Sequence, residues 1–517
     1  MAIVTTVLAL LAACIGFALL ARWLKVPYAA VLVLGGMALA LVPAVPEITL
    51  DPALALAFFL PPLLQGSAYR TDWRAFRSEL RPILLLAVGA VLFSAFCVAA
   101  VVKLILPDLP WAAAIALGAI VAPPDAVAAS AVLRGLSMPR RLVVILEGES
   151  LVNDATALIL YRFSLAALAA GAVAIETAGL SFLLVAAGGI AFGYAIGRAA
   201  AWAIARTNDT LLETLLSFLA CYAAFLAGEW AGVSGVIAVV TTGIVLGQRQ
   251  GAFSARTRVE SVAVWRFVEF VLTSLVFILV GLQLQGILER LGDRDPLLVA
   301  GVALGVSAAL VASRFLWVFP VGWIEGLFTR RGPKPDPRHL AVISWAGMRG
   351  VVSLAAALGL PLDTPERDLI VFAAFVAILV TLVVQGTTLG PLIRRLKVEV
   401  PPQKGLPPEE AEAWQVVRGA MRDMLEARVA DPLDGAIAAD LLPEYRDRAR
   451  LYAGVTTGAT GAELSARLAL RLEALRAGRE ALAKHRRATG LSDETLGAIR
   501  SDLDLEELRL RRLLSAA

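Results

Sequence analysis

The feature that most constrains this chain is a succession of apolar runs, each about long enough to cross a bilayer. A spanning helix needs about 20 mainly apolar residues. Thirteen stretches meet that need, near 2–21, 28–46, 51–68, 82–106, 111–133, 142–168, 178–204, 211–228, 231–247, 264–288, 297–320, 340–360 and 368–393. The expected fold is therefore an all-α polytopic membrane protein. Composition agrees: of 517 residues 59% are hydrophobic and 17% charged, and the mean hydropathy is +0.76, far from soluble globular averages.

The charges between the runs alternate. One set of connections carries Arg22 and Lys25; Arg70, Arg74, Arg77 and Arg81; Arg134, Arg140 and Arg141; Arg198 and Arg206; Arg249, Arg256 and Arg258; and Arg330, Arg331, Lys334 and Arg338. The intervening connections hold only Arg290, Arg294 and Arg367. Basic residues mark cytoplasmic loops, so the pattern predicts an N-terminus outside and a cytoplasmic C-terminus, in the inner (plasma) membrane. Leu11-Ala12-Ala13-Cys14 matches a bacterial lipid-attachment sequence, but no basic residue precedes it and the chain stays apolar through Ala21. A retained first span is expected instead. Cys14, Cys97 and Cys221 are far apart in apolar runs, and His339 and His485 lie in separate polar regions. Neither a disulfide framework nor a Cys or His metal site is expected.

From about Val398 the composition changes. Pro401-Pro402 and Pro407-Pro408 lead into an Ala/Leu/Arg/Glu-rich tail, where LSARLALRLEALRAGREALAKHRR repeats apolar residues at helical spacing. Residues 1–397 are expected to form the transmembrane domain and 398–517 a cytoplasmic helical domain. The tail shows no phosphate-binding glycine loop or metal pattern, so a solvated assembly or regulatory element is expected.

Against this apolar background the charged residues within spans stand out. In GESLVNDATALILYRF, residues 148–163, Asp154 falls near mid-membrane, where a carboxylate costs about 2.5–3.5 kcal/mol on insertion scales. Ser150, Asn153 and Asp154 stand at i, i+3 and i+4, so their oxygens share one helical face. Such a stripe suits a hard cation. Ser and Asn alone would read as helix-packing glue, but intramembrane ionisable residues mark ion pathways. In APPDAV, residues 122–127, Pro123 and Pro124 remove backbone donors and predict a helix broken at Asp125. In SWAGMRGVVS, Arg349 stands between Gly347 and Gly350 near mid-depth. Counting spans 1–6 and 8–13 as two repeats, both interrupted spans are fifth members, which is where a transporter site is expected. Arg349 is placed to neutralise helix ends and carboxylates there. Glu149 and Arg314 lie at equal depth, about 7 Å to the cytoplasmic side at 1.5 Å per residue, and are expected to pair, leaving Asp154 and Asp125 for a cation.

These residues resemble the monovalent cation/proton antiporter family that contains the bacterial and animal sodium/proton exchangers. The resemblance covers nearly the whole membrane part and rests on LPPLL (60–64), PDAVA (124–128), EGESLVNDATAL (147–158), SGVIAVVTTGIVLG (234–247), GMRGVVSLA (347–355) and VQGTTLGPL (384–392). The Glu-Ser and Asn-Asp element is the specific one. The resemblance implies inverted repeats, two crossed broken helices, a moving core domain and a dimerisation domain in a homodimer. It implies that Asp154 binds cation and proton, with Ser150, Asp125 and Asn153 completing or ordering the site, and that an Asn-Asp pair accompanies electroneutral exchange. Relatives often carry Thr where Pro124 stands; proline offers a carbonyl but no hydroxyl. Na⁺ is the expected ion, with Li⁺ and K⁺ left open. The expected partners are the cation, protons and membrane lipid, with no cofactor and no nucleic acid.

Two other classes use similar residues. Asp125 and Asp154 could serve an intramembrane aspartyl hydrolase, but the chain has no Gly-x-Gly-Asp, no His-Glu-x-x-His and no serine nucleophile element, and catalysis leaves the paired broken spans unexplained. A non-transporting sensor acting through the tail is the other alternative. Neither an enzyme nor a sensor is expected.

Overall fold

A computed structural model describes residues 2–42, 52–125, 136–170, 175–207, 209–292, 294–328, 336–400, 408–431, 434–443, 461–489 and 493–516, with positions 129, 132, 133 and 445. Among the described residues the regular structure is helical throughout, and no strand occurs. The chain divides into two compact units, Met1–Glu399 and Val400–Ala517.

The first unit contains α1 (Ala2–Leu24), α2 (Tyr28–Ala40), α3 (Pro52–Arg70), the short α4 (Trp73–Ser78), α5 (Leu80–Ile105), α6 (Trp111–Val121) and α7 (Arg140–Ala170). It continues with α8 (Ile175–Ile204), α9 (Thr210–Trp230), α10 (Gly235–Gln248), α11 (Ala255–Leu282), α12 (Leu284–Leu291), α13 (Pro296–Phe328), α14 (Pro337–Trp345), α15 (Val351–Leu358) and α16 (Arg367–Leu396). Among the described residues seven stretches are long and apolar enough to cross a membrane: Thr5–Leu24, Leu80–Ile105, Gly179–Ile204, Thr210–Trp230, Thr257–Leu291, Pro296–Ile324 and Arg367–Leu396. α7 has the length but not the composition, because its 31 residues include six charged ones from Arg140 to Arg162. The run expected over 28–46 forms a helix only to Ala40, and its residues 43–46 lie outside the described residues.

Helices α1–α3 and α8–α11 pack chiefly among themselves, while α5–α7 and α13–α16 form a second group. Close approach within the first group depends on glycine. A Cβ on Gly36 of α2 would lie 2.3 Å from the Ile278 carbonyl oxygen of α11, and one on Gly281 would lie 2.2 Å from that of Val33. Small residues at such crossings bring helix backbones into contact. The groups meet where α2 touches α16, α3 touches α7 and α15, α10 touches α7, and α11 touches α15. Two long helices carry π-helical turns, Leu85–Ala90 in α5 and Thr381–Gln385 in α16, and such turns often mark functional segments. The Trp317 indole of α13 donates to the Leu85 carbonyl at 3.0 Å.

The second unit contains α17 (Pro408–Arg428), α18 (Gly461–Thr489) and α19 (Asp493–Ala516), of which α17 and α19 are amphipathic. Leu468, Leu510 and Leu513 form a small core with Trp414 packed against it. Arg479 bridges Asp504 and Glu507 at 2.5 and 2.7 Å. Such surface pairs add little stability, so apolar packing holds these helices.

Candidate cation site

α6 stops because Pro123 and Pro124 lack the N–H groups that would continue it. The helix ladder closes with the Ala122 N–H on the Gly118 carbonyl at 2.9 Å. α14 stops at Trp345, and residues 347–350 are not helical before α15 resumes at Val351. The two interrupted segments cross. The Asp125 N–H donates to the Met348 carbonyl at 2.7 Å, the Arg349 N–H donates to Thr381 Oγ1 of α16 at 3.1 Å, and Arg349 Nη1 donates to the Ala122 carbonyl. Orphaned backbone groups thus find partners in the opposite segment or in α16, the condition for irregular backbone inside a membrane. A Cβ on Gly350 would lie 1.9 Å from Asp125 Oδ2, so glycine is what lets the carboxylate sit against the second segment.

α7 runs unbroken beside the crossing. Asn153 Nδ2 donates to the Pro124 carbonyl at 2.7 Å, which fixes α7 to the first break. Asn153 Oδ1 is buried without a hydrogen-bond partner. Asp154 and Ser150 are buried and Asp125 is half-buried. A cavity of about 560 Å³ opens onto all three, together with Pro123 and Gly350. Pro124 and Asn153 do not line it; they face each other behind its wall. At the crossing the oxygens that these three residues offer a cation are those of two carboxylates and a hydroxyl, hard donors suited to a hydrated or partly hydrated monovalent ion. Among the described residues no group of three or more His, Cys, Asp or Glu is arranged to hold a resident metal.

Glu149 faces away from this cavity and meets Arg314 of α13 in a bidentate pair at 2.6 and 3.1 Å, with side chains 1% and 2% exposed. Arg314 also donates to the Ile343 carbonyl of α14 at 2.9 Å. A Cβ on Gly347 would lie 2.5 Å from Arg314 Cδ. The pair therefore braces the end of α14 beside the break.

Some participants escaped sequence reasoning. Thr381 starts the π turn of α16 and accepts the Arg349 N–H, yet it lies in an apolar run three residues before the VQGTTLGPL motif. Arg70 pairs with Glu269 of α11 at 2.7 Å, and both line the cavity with Glu147 and Arg266. Two charges within three residues at the start of an apolar span, Arg266 and Glu269, were the available signal.

A family model described as sodium/hydrogen exchanger, transmembrane, matches residues 7–395. The chain belongs to the sodium/hydrogen exchanger family. A Mycobacterium tuberculosis protein described as an uncharacterized Na⁺/H⁺ exchanger is 32% identical to this chain over 98% of the chain and 95% of its own length. A Na⁺/H⁺ antiporter of Aphanothece halophytica is 32% identical over 72% and 70%. A sodium, potassium, lithium and rubidium/H⁺ antiporter of Bacillus pumilus is 31% identical over 80% and 64%. The solved sodium proton antiporter MjNhaP1 from Methanocaldococcus jannaschii superposes with a TM-score of 0.59 at 19% identity, covering 77% of this exchanger and 99% of that chain. This exchanger is therefore a multi-pass helical membrane protein with that antiporter's fold.

Proposed function

We propose that this exchanger is a secondary antiporter that trades a monovalent cation for a proton at Asp154. The observation that carries the proposal is the convergence of Asp125, Ser150 and Asp154 on one cavity at the crossing of two interrupted helices. Na⁺ is the proposed ion, with Li⁺ and K⁺ as alternatives; the relatives named above for these ions support that choice. Asp154 and Asp125 supply the anionic oxygens and Ser150 a neutral one. Asn153 and Pro124 keep the first break in place, and Arg349 tethers the two segments.

Cation and proton compete for the same carboxylate, and the loaded helices carry the site from one side of the membrane to the other. The group α5–α7 with α13–α16 is the proposed moving body, and α1–α3 with α8–α11 the fixed one through which two copies pair. Thirteen spans in inverted repeats, an outside N-terminus and a cytoplasmic domain from 398 to 517 complete the proposal, with the protein in the inner (plasma) membrane. Competition makes exchange self-limiting: low pH fills the site with protons, and high pH leaves few to exchange. If Asp125 keeps one protonation state through the cycle, one cation and one proton balance and exchange is electroneutral.

The test uses liposomes carrying the purified protein and a trapped pH dye. Adding Na⁺, Li⁺ or K⁺ should move protons, and a potential imposed with K⁺ and valinomycin should leave the Na⁺-driven endpoint unchanged. An endpoint that follows the voltage would show that a second group carries charge. No proton movement with any of the three ions would refute antiport.

A further inference from the structure

The cavity is one-sided along α7. On α7 it touches Val143, Leu146, Glu147, Ser150, Leu151 and Asp154 and no residue beyond, although on α3 and α15 it also reaches Ala55 and Ala355, so the stretch of α7 from Ala155 onward is closed to it. On that closed side Arg162 Nη2 donates to Glu229 Oε2 of α9 at 2.6 Å. Arg162 lies eight residues past Asp154, about 12 Å along the axis, and Glu229 lies in the last turn of α9 beside the exposed Trp230, a residue type that favours the membrane interface. The ion pair thus joins a helix of the site-bearing group to one of the opposite group, beyond the last turn of α7 that the cavity touches.

We infer that Arg162 and Glu229 form a latch that holds the closed side shut and must open in each cycle. The inference rests on the alternating-access proposal above, because only a moving site needs such a contact to break. The side chains are 53% and 33% exposed, so the pair is screened and weak. That suits a contact that biases an equilibrium between two states and does not lock it; a pair of this strength shifts such an equilibrium about two- to five-fold. Glu149 and Arg314, buried and within one group of helices, have no such freedom.

The test reads the population of the rarer state, which responds in proportion to the latch. In protein whose Cys14, Cys97 and Cys221 are replaced by Ala, a Leu158→Cys probe stands one turn past Asp154, partly buried against two apolar clusters of the membrane unit. Reconstituted in nanodiscs, it should react slowly with a water-soluble maleimide. Arg162→Gln or Glu229→Gln should raise that rate about two- to five-fold, and the swap Arg162→Glu with Glu229→Arg should return it toward the parent rate. Single variants that react like the parent would overturn the latch, and so would a swap that stays as reactive as the singles. Cation-driven proton movement by the unlabelled parent separates this failure from failure of the antiport proposal itself.

Discussion

Two proline pairs in the membrane unit behave in opposite ways. Pro61 and Pro62 lie inside α3, which continues from Pro52 to Arg70. Pro123 and Pro124 end α6 two residues after Val121. Proline chemistry is the same in both places, so what differs is where the orphaned backbone groups go. In α3 the missing N–H of Pro62 leaves the Phe58 carbonyl four residues earlier without its helical donor, and the Tyr222 hydroxyl of α9 donates to it at 3.1 Å. A side chain repairs the ladder and the helix runs on. At the second pair the partners come from another broken segment: Asp125 donates to Met348, and Arg349 donates to Ala122. That exchange holds the chain open and leaves the Asp125 carboxylate facing a cavity. A proline pair removes donors, and the neighbours decide whether the result is a repaired helix or a site.

The comparison can be broken from either end. The largest effect is expected at the brace of the crossing: Glu149→Gln or Arg314→Gln, each alone, leaves a buried charge uncompensated and should cost about 3–5 kcal/mol, read as a lower melting temperature in detergent. Single variants melting with the parent would remove the brace from the account. Next comes Arg349→Gln, which removes a charged donor from the Ala122 carbonyl and should cost about 1.5–3 kcal/mol. Tyr222→Phe should cost less, about 1 kcal/mol, by leaving the Phe58 carbonyl unpaired. The smallest effect sharpens the contrast: Pro62→Ala restores a donor to that carbonyl, so Tyr222→Phe should become nearly neutral in the Pro62→Ala background. A double-mutant cycle measures this directly, and equal costs in both backgrounds would show that Tyr222 does not repair the ladder.

How much of this was legible in the sequence depends on whether a feature is local. Helix existence followed from apolar length, and the first break from two prolines next to an acid. The stripe of Ser150, Asn153 and Asp154 followed from helical periodicity, which fixes the angle between side chains on one helix. Periodicity does not say which of those side chains meets open space, and here Asn153 turns to the Pro124 carbonyl while Ser150 and Asp154 turn to the cavity. Pro61-Pro62 carries the same proline chemistry as Pro123-Pro124, and nothing local tells them apart, because the hydroxyl that repairs α3 comes from a residue 160 positions later. Thr381 was invisible for the same reason. Its role depends on a contact across 32 positions, and nothing in its own neighbourhood distinguishes it from other threonines in apolar helices. Glu149 and Arg314 could be matched by depth because a membrane gives each residue a coordinate along its normal, which soluble proteins lack.

The central claim is that the carboxylate of Asp154 carries both the cation and the proton. Asp154→Asn keeps the shape of the side chain and removes the exchangeable proton. In liposomes holding equal amounts of parent and variant, a Na⁺ pulse should move protons through the parent and produce no dye response with the variant, while the two proteins melt at similar temperatures in detergent. Exchange by the Asp154→Asn protein at the parent rate would contradict the account.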